Sequence, residues 1–404
     1  MTKEYERTQL EILKHRILEP RKFLQVVVGP RQVGKTTILN QLFKKNLIYT
    51  AKYAVDDIST ANGEWLDGVW EKLRVEMRSQ GKKEALLIID EIQRINDWSL
   101  TVKKNWDADT SSGINIKLIL SGSSRLLLQR GLHDSLLGRY ELIRIGHWSY
   151  REMEKVFNFT PEQFVWFGGY PGAATLIDDE MRFKNYVKDS VVSASINQDI
   201  LMLTQIVKPA LLRQLFELGC SYNSQILSYN KLLGQLQDAG NTVTLAKYLE
   251  LLEQAGLLSG LETFSRKVIK TRSSSPKFQV FNMGLVSAGQ TETFSDALAD
   301  KLWWGRLVES AVGAHLLNLV NCNTNAQLFY WREGELEVDF VLKYGAKILG
   351  IEVKSSDSEM NMPSAMRFKE KFPESEILLV GDKGVKWQKF LRMDLGEIFP
   401  STPA

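Results

Sequence analysis

Cysteine and histidine are scarce in this chain of 404 residues: Cys220 and Cys322 lie far apart with no CxxC spacing, and His15, His133, His147 and His315 never pair at ligand distance. Neither a zinc site nor a disulfide framework is indicated, and a reducing compartment suits this usage. Net charge is nearly absent as well, because 51 Lys plus Arg stand against 48 Asp plus Glu to leave +3. No global field therefore draws the molecule to nucleic acid or an acidic membrane, and any polyanion site must be local. No apolar run approaches the roughly 18 residues of a membrane span, and the opening MTKEYERTQL lacks the apolar stretch of a signal peptide. The expectation is a soluble, cytoplasmic protein with no membrane partner.

What is present suffices for several cores. Hydrophobic residues make up 44% and charged residues 25%, which excludes dominant disorder, and the length argues for two to four domains. The stretch VVVGPRQVGKTTIL, residues 26–39, stands out. Its apolar lead has the pattern of a strand buried on both faces of a parallel sheet. The next residues fit GxxxxGK[ST] through Gly29, Pro30, Arg31, Gln32, Val33, Gly34, Lys35 and Thr36, with Thr37 after them and helical periodicity beyond. Glycines let backbone amides surround a phosphate, Lys35 reaches the β- and γ-phosphates, and the Thr36 hydroxyl ligates Mg²⁺ at a helix N-terminus. This is a Walker A loop, and it implies ATP and Mg²⁺.

A second carboxylate for magnesium is supplied by EALLIIDEIQ, residues 84–93, an apolar strand ending in Asp90 and Glu91. Asp90 holds the metal through water, and Glu91 orients and deprotonates the attacking water. A third strand, IKLILSGSS, brings Ser121, Ser123 and Ser124 to the same sheet edge, either as γ-phosphate sensors or as plain turn residues. A fourth, YELIRI, comes after LLGR, which offers Arg139 as an arginine finger acting on a neighbouring subunit. Arg125 is the rival finger, and a plain surface arginine is the third alternative.

Together, Gly29 to Thr37, LLIIDEIQ, ILSGSS and SLLGRYELIRIGHWSYREM resemble a prokaryotic AAA-type ATPase family related to the archaeal and STAND ATPases. The resemblance covers most of the chain and implies a C-terminal domain of long-unassigned function. It also implies that Gly169 and Pro171 of FGGYPGA, as a GxP motif in a lid, approach the adenine; a Gly-Pro turn with no ligand is the simple alternative.

The expected fold is α/β, in four parts: a P-loop core over 1–154, a helical lid over 155–208, a winged helix-turn-helix over 209–290, and an α/β domain over 300–404. In the third part, two helices joined by a glycine-containing turn, the second capped by Thr242 or Thr244, precede a hairpin. Arg266, Lys267, Lys270, Arg272 and Lys277 cluster there without an acid, a local surface for DNA phosphates. The second helix itself carries Lys247 against Glu250 and Glu253, so a protein-contact role stays open.

In the last part, EVDFVL and GIEVK put Asp339, Glu352 and Lys354 on adjacent strands, with Glu352 and Lys354 on one face. Two carboxylates can hold a divalent metal while the lysine stabilises charge. The pattern resembles the PD-(D/E)xK nuclease fold, and Glu309 on the preceding helix matches the acid such nucleases often add to the metal site. The resemblance leaves DNA cleavage and binding alone both open. Oligomerisation is open too.

Overall fold

The computed structural model describes residues 5–58, 61–122, 132, 135–201, 206–236, 241–265, 275–354 and 360–400. The chain forms two units, Met1–Ile145 and Gly146–Ala404.

The first unit holds five strands, β1 (Leu24–Val28), β2 (Tyr49–Ala54), β3 (Glu84–Asp90), β4 (Asn115–Gly122) and β5 (Tyr140–Arg144). Their order is β2-β3-β4-β1-β5 and every neighbouring pair is parallel. A parallel sheet needs cover on both faces, and helices α1 (Thr8–Leu18), α2 (Lys35–Lys45), α3 (Gly63–Ser79) and α4 (Trp98–Ser112) supply it. The period of two sorts the strand residues. Leu24, Val26 and Val28 pack with Leu66 and Trp70 of α3 and Val102 of α4, whereas Val27 packs with Ile38 and Leu39 of α2 and Leu13 of α1. Because β4 lies between β1 and β3, three strand ends converge: Ser121 pairs with Val27, and Leu120 pairs with Ile89, next to Asp90.

The second unit begins with helices, among them Tyr150–Phe157, Pro161–Phe167, Glu180–Tyr186 and Pro209–Ser221. Capping boxes at Ser149 and Thr160 start the first two. Helices Tyr229–Gln235 and Thr242–Gln254 come next, then an antiparallel pair, β6 (Leu258–Leu261) with β7 (Lys277–Val280). The cap of the second helix is Asn241, whose side chain accepts from the Thr244 amide at 2.9 Å, and not Thr242 or Thr244. Asparagine in extended backbone is as good an acceptor there as the threonines beyond it.

A long helix, Lys301–Asn321, leads into a separate sheet of β8 (Ala326–Glu333), β9 (Leu336–Tyr344), β10 (Lys347–Val353) and β11 (Glu376–Val380) in the order β11-β10-β9-β8. The β8-β9 and β9-β10 pairs are antiparallel and β10-β11 is parallel. No helix among the described residues is long and apolar enough to cross a membrane.

Candidate functional site

The loop from β1 to α2 is shaped by two glycines. Gly34, the residue before α2, has φ +92°, and a Cβ on Gly29 would lie 2.3 Å from the Ile145 carbonyl oxygen. Neither position tolerates a side chain without strain or displacement. Val33 turns its side chain into the core, so only its backbone faces the loop's interior, and Arg7 donates to the Val33 carbonyl at 3.1 Å. Replacing Gly34 with alanine would force a left-handed alanine, costing about 1–2 kcal/mol. The expected melting temperature of the Gly34→Ala variant is about 2–8 °C lower; an unchanged melting curve would contradict this account of the loop.

The chemistry gathers at the α2 N-terminus. Lys35 is buried and its ammonium donates to the carbonyls of Gly29 (2.9 Å) and Pro30 (2.7 Å). The Thr36 hydroxyl donates to Asp90 Oδ2 at 2.8 Å, and the Ser121 hydroxyl donates to Asp90 Oδ1. Hard oxygen donors from Thr36 and Asp90, at the end of a glycine loop that leads into a helix N-terminus, fit a magnesium ion carried with a nucleotide.

Glu91 follows Asp90 in left-handed backbone, φ +56°, and accepts from Gln93. Burial holds its carboxyl above the usual carboxylate range, with Lys35 and Gln93 pulling the other way.

Arg139 is engaged within its own unit, donating to both oxygens of Asp107 at 2.9 and 3.1 Å. A finger reaching a neighbour would have to release that pair. Ser123, Ser124 and Arg125 lie outside the described residues. Gly169 and Pro171 belong to the second unit, where the Gly169 amide donates to Asn282 at 3.1 Å and a Cβ there would meet the Trp148 carbonyl oxygen at 2.1 Å.

The acids of the second unit assemble around an unexpected partner. Lys277 of β7 is fully buried, and its ammonium lies 2.9 Å from Glu309, 3.4 Å from Glu337 and 3.1 Å from the Asp339 carbonyl oxygen, with the Asp339 carboxylate at 4.0 Å. Lys277 is therefore not a wing cation for DNA, which corrects the charge-based expectation. Burial works against its charge, but Glu309, Asp339 and Glu337 outweigh that and hold the proton beyond the ordinary lysine range. The other wing cations, Arg266, Lys267, Lys270 and Arg272, lie outside the described residues.

Glu352 and Lys354 do meet on one face of the β10 end, at 3.0 Å. Both Glu352 oxygens accept from the Asn361 amide at 2.9 and 3.0 Å, and Asp339 Oδ2 accepts from the Val353 amide at 2.8 Å. Each of the two acids thus has an ammonium of the chain's own beside it, Lys277 at 4.0 Å from Asp339 and Lys354 at 3.0 Å from Glu352, in the place where a divalent metal was expected. No group of three His, Cys, Asp or Glu among the described residues is arranged to hold one. Glu337 was missed in the sequence, although its i, i+2 relation to Asp339 on β9 puts both on one strand face.

A glycine loop between a buried parallel strand and a helix, with a strand-end carboxylate on the hydroxyl after the lysine, defines a P-loop ATPase domain of the AAA type. An AAA domain matches residues 21–154, and two domains of unknown function, DUF8612 and DUF4143, match residues 159–293 and 304–393. No curated protein matches the chain. Among solved structures, the Thermotoga maritima RuvB Holliday junction branch migration motor is similar at 18% identity over 62% of this chain and 86% of its own, with a TM-score of 0.33.

Proposed function

We propose that the chain binds and hydrolyses ATP with magnesium at its P-loop, and that nucleotide state governs DNA binding or processing by the second unit. The observation that carries the first half is the meeting of Thr36 and Ser121 on Asp90 beside the Lys35 ammonium. Loop amides and Lys35 would neutralise the β- and γ-phosphates, and Thr36 and Asp90 would hold magnesium, which when bound supplies positive charge to the phosphate oxygens. Glu91 would orient a water and take its proton, while Ser121 would sense the γ-phosphate through Asp90. Arg139 as a finger in trans, and Gly169 with Pro171 near the adenine, complete the reading and presume an oligomer and a closing lid. In that scheme 155–208 is the lid, 209–290 a winged helix and 300–404 a nuclease-like domain, with the residues around 266–272 as the DNA-facing cations.

The base form of Glu91 is the deprotonated one, and its folded value is raised. Turnover should thus rise with pH and be lost, as pH falls, at a higher pH than an ordinary glutamate would give. A pH-rate profile whose acid limb lies in the ordinary carboxylate range would contradict the assignment.

A second reading, a switch that binds protein partners and has no nuclease step, is favoured by the Lys277 ammonium among the C-terminal acids. One experiment separates the two. ATP turnover and nuclease activity are measured with duplex and single-stranded DNA, in Mg²⁺ and Mn²⁺. DNA-dependent change in turnover, or fragments lost in Asp339→Ala, supports the first; magnesium-dependent hydrolysis indifferent to DNA supports the second.

A further inference from the structure

We infer that the Lys277 ammonium is the resident cation of the C-terminal acid cluster, occupying the place of a divalent metal and fastening β7 to the sheet that carries Asp339. The inference is independent of ATP hydrolysis at the P-loop.

A lysine side chain leaves water only where its three donors are met and its charge is offset. Lys277 satisfies both conditions. Its ammonium reaches Glu309 on helix Lys301–Asn321, and Glu337 and the Asp339 carbonyl on β9, and it lies 4.8 Å from the Phe340 ring centre. The strand is built for this position. Alternate residues of β7 share a face, and Gln279, two along from Lys277, is also fully buried and donates to the Ser310 carbonyl at 2.9 Å. Where Gln279 meets the helix there is a glycine, Gly313, on which a Cβ would lie 2.1 Å from Gln279 Oε1. Two polar side chains from one strand thus enter the same helix face, and one of them ends among carboxylates.

A divalent ion needs oxygen ligands at about 2.0–2.6 Å, and it would have to share these carboxylates with a positive charge already 2.9 Å from Glu309. Asp339 Oδ2, the oxygen not paired with Lys277, accepts from the Val353 amide, and Glu352 has its own ammonium in Lys354 at 3.0 Å and accepts from the Asn361 amide. The cluster therefore works as a tethered ion pair network that needs no metal, and metal access requires β7 to withdraw.

The test uses the full chain without nucleotide, titrated with Mn²⁺ while free Mn²⁺ is read by electron paramagnetic resonance. Wild type should show no site that Asp339→Asn removes. Lys277→Met, which keeps the apolar stem, should gain one site at least tenfold tighter than any in wild type, and Lys277→Met with Asp339→Asn should lose it. A wild-type site removed by Asp339→Asn overturns the inference, and so does a folded Lys277→Met that gains none. Should Lys277→Met not fold, amine labelling of wild type read by mass spectrometry decides. Lys277 should label at least tenfold more slowly than Lys72, with or without millimolar Mn²⁺, and exposure of Lys277 on adding Mn²⁺ would mean that the metal displaces it.

Discussion

Glu91→Gln should bind magnesium-ATP as the parent does and release phosphate about 10²- to 10⁴-fold more slowly, the range typical of a lost general base. Glutamine keeps the size and the contact with Gln93 but cannot take a proton. Geometry favours Glu91 over Asp90 as the base. Asp90 is committed to the hydroxyls of Thr36 and Ser121, which leaves it to the metal, whereas Glu91 stands one residue on with a carboxyl raised by burial. Calorimetric binding and a phosphate-release assay on the same preparation separate the two effects. Equal turnover in parent and variant would remove Glu91 from its role.

Lys35→Ala should fail at the earlier step. Its ammonium is held by the Gly29 and Pro30 carbonyls at the mouth of the loop, ready to exchange those partners for phosphate oxygens. Each charge-assisted hydrogen bond lost is worth about 1.5–3 kcal/mol, or roughly 10- to 150-fold in affinity. With two phosphates contacted, a drop of 100-fold or more is expected, measured by displacement of a fluorescent nucleotide. Retained affinity with a circular dichroism spectrum like the parent's would contradict the assignment.

The P-loop was legible in the sequence because its demands are local. Gly34 needs a left-handed backbone and Gly29 a close approach, so spacing alone identifies them. The two-faced burial of β1 was legible from an unbroken apolar run, and Asp90 from its place at the end of another. Lys277 was not. A lysine in KFQV, just after a basic stretch, reads as a wing cation, and only the fold of a helix and a strand 32 to 62 residues further on surrounds it with acids. The pairing of Arg139 was no more legible, since Asp107, its partner, is 32 residues upstream on α4. Glu352 and Lys354 lie two apart on one strand, so period two brought them together on paper as in the fold. The amides that occupy Glu352 and Asp339 leave no mark in composition or spacing.

These differences have one cause. A site made by a single turn is written in consecutive residues, whereas a site made by packing is written in residues that carry no joint signal until the chain has folded. The C-terminal acids spell a metal pair in the sequence, and the nearness of the Lys277 ammonium to Asp339 is visible only in the fold.

The central claim is a magnesium-ATP pocket at Gly29–Thr37, and calorimetric titration of the purified chain tests it most directly. The account predicts one ATP bound per chain, more tightly with Mg²⁺ than with EDTA, and loss of the magnesium advantage in Asp90→Ala. Absence of heat with either solution, or the same affinity with and without the metal in wild type, would contradict it.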